Sequence, residues 1–249
     1  MAFDGPLEAR ANATHWARLL ELALPALDFA LPPAPSGDGR PGWTLGGGTA
    51  LALRIGHRLS DDIDLFVSGR SLKLFTPAQN PAAKRISARF EWPGHYLKFT
   101  TDIGEIDFLS APLQTVPGYT VEQFKARAIA LETCDEVIVK KIRYRSGRFT
   151  ARDCFDLAAV ARARPAIINT IAVETPDALD RLSVVIRTRI GASPKSVEAS
   201  VRPSGSFTDL AATALQEALA VVEAAQALVA APLGPSGDLR GSSRDDFGS

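Results

Sequence analysis

Asp62 and Asp64 stand two residues apart in the run Asp62-Ile63-Asp64-Leu65-Phe66-Val67. In an extended strand alternate side chains share a face, so Ile63, Leu65 and Val67 point one way and the two carboxylates the other. Carboxylates held that close repel unless a cation lies between them. A purely oxygen donor set suits Mg²⁺, which also bridges to substrate phosphates. Just upstream, Gly46, Gly47 and Gly48 lack a Cβ, so the backbone there can come close to a ligand. Thr49 is placed to cap a short helix over 50–54, with Gly56 as its stop, and the N–H groups free at such a start favour phosphate. Each half has a plainer explanation alone: glycine turns are common, and an Asp-x-Asp pair is often the wet face of an edge strand. In this order and spacing they are far more specific.

Three further positions carry chemistry. The runs 96–101 and 105–109 read as strands joined by a turn at 102–104, with Ile106 and Phe108 on one face and Asp107 on the other. Thr133 followed by Glu136 is the signature of a capping box, and Val137, Ile138 and Ile142 form the inward stripe of the helix it opens. Lys141 shares that stripe. A lysine among apolar residues either snorkels to solvent or meets an anion, such as a triphosphate at a pocket rim. Lys140, by spacing, points off the stripe. With Arg143, Arg145, Arg148 and Arg152 it makes the densest basic run in the chain, readable as a solvated face or as a polyanion contact. Asp153 then stands where a helix-capping acid would, opening a helix with Cys154, Leu157, Ala158 and Ala161 inward.

The elements that must hold these groups follow from periodicity. A helical stripe runs over 7–27 through Trp16, Leu19, Leu20, Ala23 and Leu27, and a proline- and glycine-rich loop over 32–41 ends it. A helix is expected over 81–90. Beyond Pro165 the chain turns helical and alanine-rich, with a stripe at Leu179, Leu182, Ile186 and Ile190 after Thr175-Pro176. A strand-like piece over 197–201 and a helix over 208–230 stopped by Pro232 follow. Residues 234–249 have the composition of a disordered tail. Of the 249 residues, 28 are Lys or Arg and 28 Asp or Glu; this zero balance argues against wholesale charge-driven nucleic-acid binding but leaves room for a local basic patch. Cys134 and Cys154 suit buried thiols rather than a disulfide framework or a zinc site. With no secretory pattern and no apolar run long enough to span a bilayer, the expectation is a soluble, cytoplasmic chain.

The string Gly47-Gly48-Thr49-Ala50-Leu51-Ala52-Leu53, then His57-Arg58, Ser60 and Asp62-Ile63-Asp64-Leu65-Phe66, resembles the DNA polymerase beta-like nucleotidyltransferases. Within them it looks like the AbiEii/AbiGii-type toxins. A second block supports this: Lys141, Arg148, Arg152-Asp153 and Asp156-Leu157 follow that family's order of lysine, arginine and Arg-Asp-x-x-Asp. The resemblance implies an α+β fold, a polymerase beta-like core of mixed sheet with flanking helices followed by a helical C-terminal part. The expected divisions are 1–41, an N-terminal helix and loop; 42–132, the nucleotidyltransferase core; 133–232, a helical part completing the site; and 233–249, a tail. It further implies Mg²⁺ on Asp62 and Asp64, with Asp107 as a further ligand or as general base. Gly47, Gly48 and Thr49 would hold the phosphates of an NTP, Ser60 would add a hydroxyl, Lys141 would pair with the triphosphate, and Arg148 or Arg152 would grip phosphate. Asp153 and Asp156 enter as motif residues that orient Lys141 or Arg152. The implied activity is nucleotide transfer to an RNA end, tRNA first among acceptors, by the toxin of a toxin–antitoxin or phage-defence pair with an antitoxin partner. Nucleotidylation of a small molecule or protein, and a non-catalytic nucleotide-binding module, are the alternatives; the intact acids speak against the last.

Overall fold

The computed structural model describes Leu7 and residues 15–31, 41–67 and 71–231. The expected tail, the stop at Pro232, nearly all of the 32–41 loop and most of the first turns of the 7–27 helix lie outside those residues. Helix α1 (Trp16–Ala30) buries Trp16, Leu19, Leu20, Ala23 and Leu27, the stripe expected from its periodicity.

A mixed seven-stranded sheet organises the rest. In chain order its strands are β1 (Trp43–Gly46), β2 (Ile63–Val67), β3 (Phe90–Glu91), β4 (Tyr96–Thr100), β5 (Glu105–Leu109), β6 (Tyr119–Phe124) and β7 (Arg127–Glu132). Across the sheet they run β3-β4-β5-β2-β1-β7-β6, with β2–β5 and β1–β7 parallel and the other pairs antiparallel. Period-2 alternation gives the sheet two unlike faces. Ile63, Leu65, Val67, Leu97, Phe99, Ile106 and Phe108 are fully buried on one, where α1 and the turn Leu72–Phe75 pack. The other face carries Asp64, Phe66, Asp107 and Lys98, and it is roofed by α3 (Cys134–Arg145).

Helix α2 (Gly47–Ile55) follows β1 directly and ends on Gly56 in the left-handed region (φ 61°). After α3 come α4 (Ala151–Ala163), α5 (Ile167–Glu174), α6 (Leu179–Ala192), α7 (Ser196–Ser200) and α8 (Ala214–Ala230). One apolar cluster joins sheet and helices from Leu7 to Ala225. Cys134 and Cys154 are free, buried thiols. Among the described residues no single helix is long and apolar enough to cross a membrane.

Three local expectations are corrected. Residues 81–90 form no α-helix: the Asn80 carboxamide oxygen accepts from Ala82 and Ala83 N–H and sets a 3₁₀ turn, Ala83–Arg85. The Ser87 hydroxyl then donates to Thr100 O and draws the chain onto the sheet edge. The 197–201 piece is helix α7, because apolar residues at i and i+4, here the buried Val197 and Val201, satisfy a helical period as well as an alternating one. The 208–230 helix is broken into a 3₁₀ segment, Gly205–Ala212, and α8, at an angle of 88°. That bend lets Phe207 reach the His57 ring edge-on, at 6.4 Å, while Leu210 enters the core. The β6–β7 hairpin carries no turn signal in the sequence, having neither glycine nor asparagine there; Lys125 takes the positive φ of 52°.

Candidate active site

Strand register builds the site. Lys98 on β4 faces Asp107 on β5, Asp107 faces Asp64 on β2, and Asp64 faces Gly46 on β1. Leu45 pairs with Leu131, which brings the next residue of β7, Glu132, beside Gly46. A second row on the same face holds Tyr96, Leu109, Phe66 and Thr44. Adjacent strands lie about 4.8 Å apart, so Asp64 and Asp107 are neighbours across one ladder. Above the rows stands a cavity of about 610 Å³, lined among others by Gly47, Gly48, Lys140, Lys141, Tyr144, Arg145 and Arg148.

Gly47 is required where it stands. Its φ is 63°, and a Cβ there would overlap the Asp64 carboxylate. Thr49 does not cap α2, which begins two residues earlier with no side-chain cap. Instead the buried Thr49 hydroxyl donates to the Asp62 carbonyl oxygen and lies 2.9 Å from Ser60 Oγ, fastening the helix to the segment that leads into β2. Asp62 precedes β2, and its Oδ1 accepts from the Glu105 N–H at 3.0 Å. It stitches the start of β5 to β2 and does not line the cavity as Asp64 and Asp107 do.

The cations and acids of the second block form one buried cluster with His57 and Arg58. Asp156 Oδ1 accepts from Arg58 Nε at 2.6 Å and contacts His57 Nε2 at 2.8 Å, while its Oδ2 meets Arg58 Nη2 at 3.1 Å and Lys141 Nζ at 3.0 Å. Lys141 Nζ also donates to Asp153 Oδ1 at 2.5 Å, where Arg145 adds a contact at 3.1 Å. Asp153 Oδ2 completes a capping box with Thr150, so one carboxylate starts α4 and holds Lys141. Burial opposes the charge on Asp156, but Arg58, Lys141 and the His57 hydrogen bond hold it well below the usual carboxylate range. Burial likewise opposes the charge on Asp153, and Lys141 and Arg145 bring it down to about 2. Lys141 is therefore neither a snorkelling lysine nor a free one: it is buried, paired, and at the cavity wall. Asp153 and Asp156 are taken up by protein cations and hold Lys141 at the cavity wall. Arg148 lines the cavity, whereas Arg152 is exposed and outside its lining.

Lys140 departs from its expected outward pose. It is buried, bonded to Glu132 at 2.5 Å and Glu136 at 3.1 Å, with its ammonium 3.9 Å from the centre of the Phe66 ring. Helix α3 is covered on every side from Glu136 to Ile142, so its apolar stripe does not distinguish the two lysines. The Glu136 capping box is half formed. Thr133 Oγ1 accepts from Glu136 N–H, while the Glu136 carboxylate takes Gln114 N–H, Thr115 N–H and the Thr115 hydroxyl. Glu132 and Tyr144 line the cavity although the sequence assigns them no site role, and Arg145 of the basic run lines it too; a lone acid ending the apolar run 128–131 is the signal available for Glu132.

The acids facing the cavity carry unfavourable charge. Burial pushes Asp64 up, against Lys141 and Arg145 and helped by Asp62. Burial and the Asp64 charge push Asp107 to about 7, against Lys98 3.8 Å away. Asp107 Oδ1 is buried with no hydrogen-bond partner. Among the described residues no three His, Cys, Asp or Glu side chains are grouped to hold a metal. What is assembled is a pair of hard oxygen donors with one orphaned atom, which fits Mg²⁺ held by one or two carboxylates plus substrate phosphates.

The model of the family described as "Nucleotidyl transferase AbiEii toxin, Type IV TA system" matches residues 34–218. The chain belongs to that family. It is accordingly a nucleotidyltransferase toxin of a type IV toxin–antitoxin system. The match takes in every AbiEii-type site residue named above. Among solved structures, JHP933 from Helicobacter pylori is 15% identical over 85% of this chain and 90% of its own, with a TM-score of 0.47. MenT4, a nucleotidyltransferase toxin from Mycobacterium tuberculosis, is 18% identical over 90% of this chain and 96% of its own, with a TM-score of 0.43. No curated protein matches the chain.

The acid pair makes stability depend on pH in a stated direction. Asp107 ordinarily titrates at 3.8, and the fold raises this to about 7, so folding favours its neutral form. Below 3.8 the group is neutral in both states; as pH rises from 3.8 to about 7 the folded state loses stability. At 1.36 kcal/mol per pH unit this is at most about 4 kcal/mol. In chelator-treated buffer, Asp107→Asn is expected to melt above the wild type at about pH 8 and with it at about pH 4. A variant melting lower at the higher pH would show that the carboxylate is not electrostatically strained.

Proposed function

We propose that this toxin moves a nucleotide from an NTP to the end of an RNA, with tRNA the leading acceptor, in a Mg²⁺-dependent reaction in the cytoplasm. The observation that carries the reading is the register of Asp64 with Asp107 in the cavity that also holds Gly47, Gly48 and Lys141. Asp64 and Asp107 would hold Mg²⁺, which when bound offsets charge on the reacting phosphate and the leaving pyrophosphate. The N–H groups of the Gly47-Gly48 turn and the cations Lys141, Arg145 and Arg148 bind the triphosphate and draw it to one end of the cavity. Asp153 and Asp156 fix Lys141 in place, and Arg58 backs the turn, since a Cβ on Gly48 would overlap its guanidinium. Asp107 Oδ1, buried and unpartnered, is the oxygen left for the cation to meet. The exposed Arg143, Arg148 and Arg152 offer a patch for a polyanionic acceptor.

Incubating the protein with each labelled NTP and total tRNA, with and without Mg²⁺, tests this. Label on RNA from at least one NTP, lost without Mg²⁺, is expected. Label appearing only on protein or on a small molecule would replace the RNA reading, and would leave a role in phage defence with a different target.

A further inference from the structure

We propose that Glu132 fixes the nucleoside half of the bound NTP by accepting a hydrogen bond from one of its donors, a ribose hydroxyl or the amino group of the base. The inference rests on the nucleotidyltransferase reading and deepens it. Glu132 is fully buried and lines the cavity wall across Gly46 from Asp64. Its two oxygens are used unequally. Oε1 accepts from the Thr44 hydroxyl at 2.6 Å and from Lys140 Nζ at 2.5 Å. Oε2 has no hydrogen-bond partner and leans over Gly46, where any Cβ would overlap both it and the edge of the Phe66 ring.

A buried acceptor left unmade costs free energy that a ligand donor recovers. The chemistry of the acceptor says which part of the ligand meets it. Cations for phosphate stand in the lining at Lys141, Arg145 and Arg148, while the Phe66 ring, whose edge meets Glu132 over Gly46, offers apolar surface to a base plane. Glu132 lies on β7, about two strand spacings, or roughly 10 Å, from Asp64 on the side away from β5. The hydroxyl and amino donors of an NTP all belong to its nucleoside, whereas its phosphate oxygens only accept and are repelled by a carboxylate.

Glu132→Gln gives a sharp reading. Lys140 and Thr44 both donate at the Oε1 position, so the amide oxygen is held there and the amide NH₂ takes the place of Oε2. A free acceptor becomes a donor without change of shape. Calorimetric titration in Mg²⁺, without acceptor RNA, would compare CTP, UTP, 2′-deoxy-CTP, 3′-deoxy-CTP and inorganic tripolyphosphate. In the wild type, removal of one donor is expected to cost about ten- to hundred-fold in affinity, the strength of a hydrogen bond to a charged group. UTP replaces the base amino group by a carbonyl oxygen and shifts the donor to N3, and each deoxy nucleotide removes one ribose hydroxyl. In Glu132→Gln that one discrimination is lost, and tripolyphosphate binds as before, which also shows the pocket is folded. Should the variant fail to fold, the wild-type series decides alone: no donor removal costing about ten-fold overturns the inference, as does unchanged discrimination in a folded variant. If neither nucleotides nor tripolyphosphate bind the wild type, the nucleotidyltransferase site itself is wrongly placed.

Discussion

Asp64→Asn is expected to abolish nucleotide transfer and to leave the fold intact. Asp64 occupies the centre of the row formed by Lys98, Asp107, Asp64 and Gly46, and it faces the cavity beside Gly47. On the proposed cation site, losing one of its carboxylates removes several kcal/mol of transition-state stabilisation. About 4 kcal/mol is three decades in rate. Stability should move the other way. Burial already raises the Asp64 pKa, and Asp62 adds to that, so a neutral amide relieves the metal-free protein at neutral pH. Steady-state transfer and thermal unfolding in chelator check the two halves together. Unchanged turnover, or a lower melting temperature without metal, would count against a shared cation site.

Lys141→Met should lower both activity and stability, and the combination distinguishes it from an ordinary pocket lysine. The substitution keeps most of the stem but leaves Asp153 and Asp156 short of a buried cation. Breaking such a pair costs about 3–5 kcal/mol. The loss should fall toward the lower end, because Arg58 still grips Asp156 and Arg145 still meets Asp153. Removing the proposed triphosphate contact is expected to cost a further one to two decades, roughly, in kcat/KM, alike for every NTP, since a phosphate contact reads no base. Lys140→Met is a comparison rather than a silent control. It strands Glu132 and Glu136, so it should destabilise as well, yet tripolyphosphate affinity should survive it. Equal loss of tripolyphosphate affinity in the two variants would remove Lys141 from the phosphate end of the cavity.

Much of this site is legible in the sequence because its parts are local. Alternation alone puts Asp64 opposite Ile63 and Leu65, and a short hairpin puts Asp107 on the matching face of β5. The α+β class follows, and the family model bears it out together with the nucleotidyltransferase assignment. What escapes depends on long-range pairing. Nothing near Glu132 in sequence says that β7 joins β1, and that pairing alone carries its carboxylate to the cavity. Asp62 satisfies the same alternation as Asp64, yet the Glu105 N–H claims it, because β5 lies in register with β2. The Lys140 and Lys141 positions differ by one helical step, and periodicity loses its meaning on a helix buried all round. His57 and Arg58 are visible in the sequence only as letters in a motif. Their work, holding Asp156, rests on a bridge between Arg58 and Pro203 that zips the C-terminal helices onto the segment before β2.

This cavity is expected to break the bond between the α- and β-phosphates of an NTP and to pass the nucleotide on. Parallel reactions with NTP labelled at the α- or the γ-phosphate, in Mg²⁺ with total tRNA, test it most directly. The α-label is expected to move to the acceptor with equimolar pyrophosphate released and the γ-label to leave in pyrophosphate, while Asp64→Asn and Asp107→Asn do neither. Transfer of the γ-label to the acceptor, or α-label transfer that survives loss of both carboxylates, would contradict it.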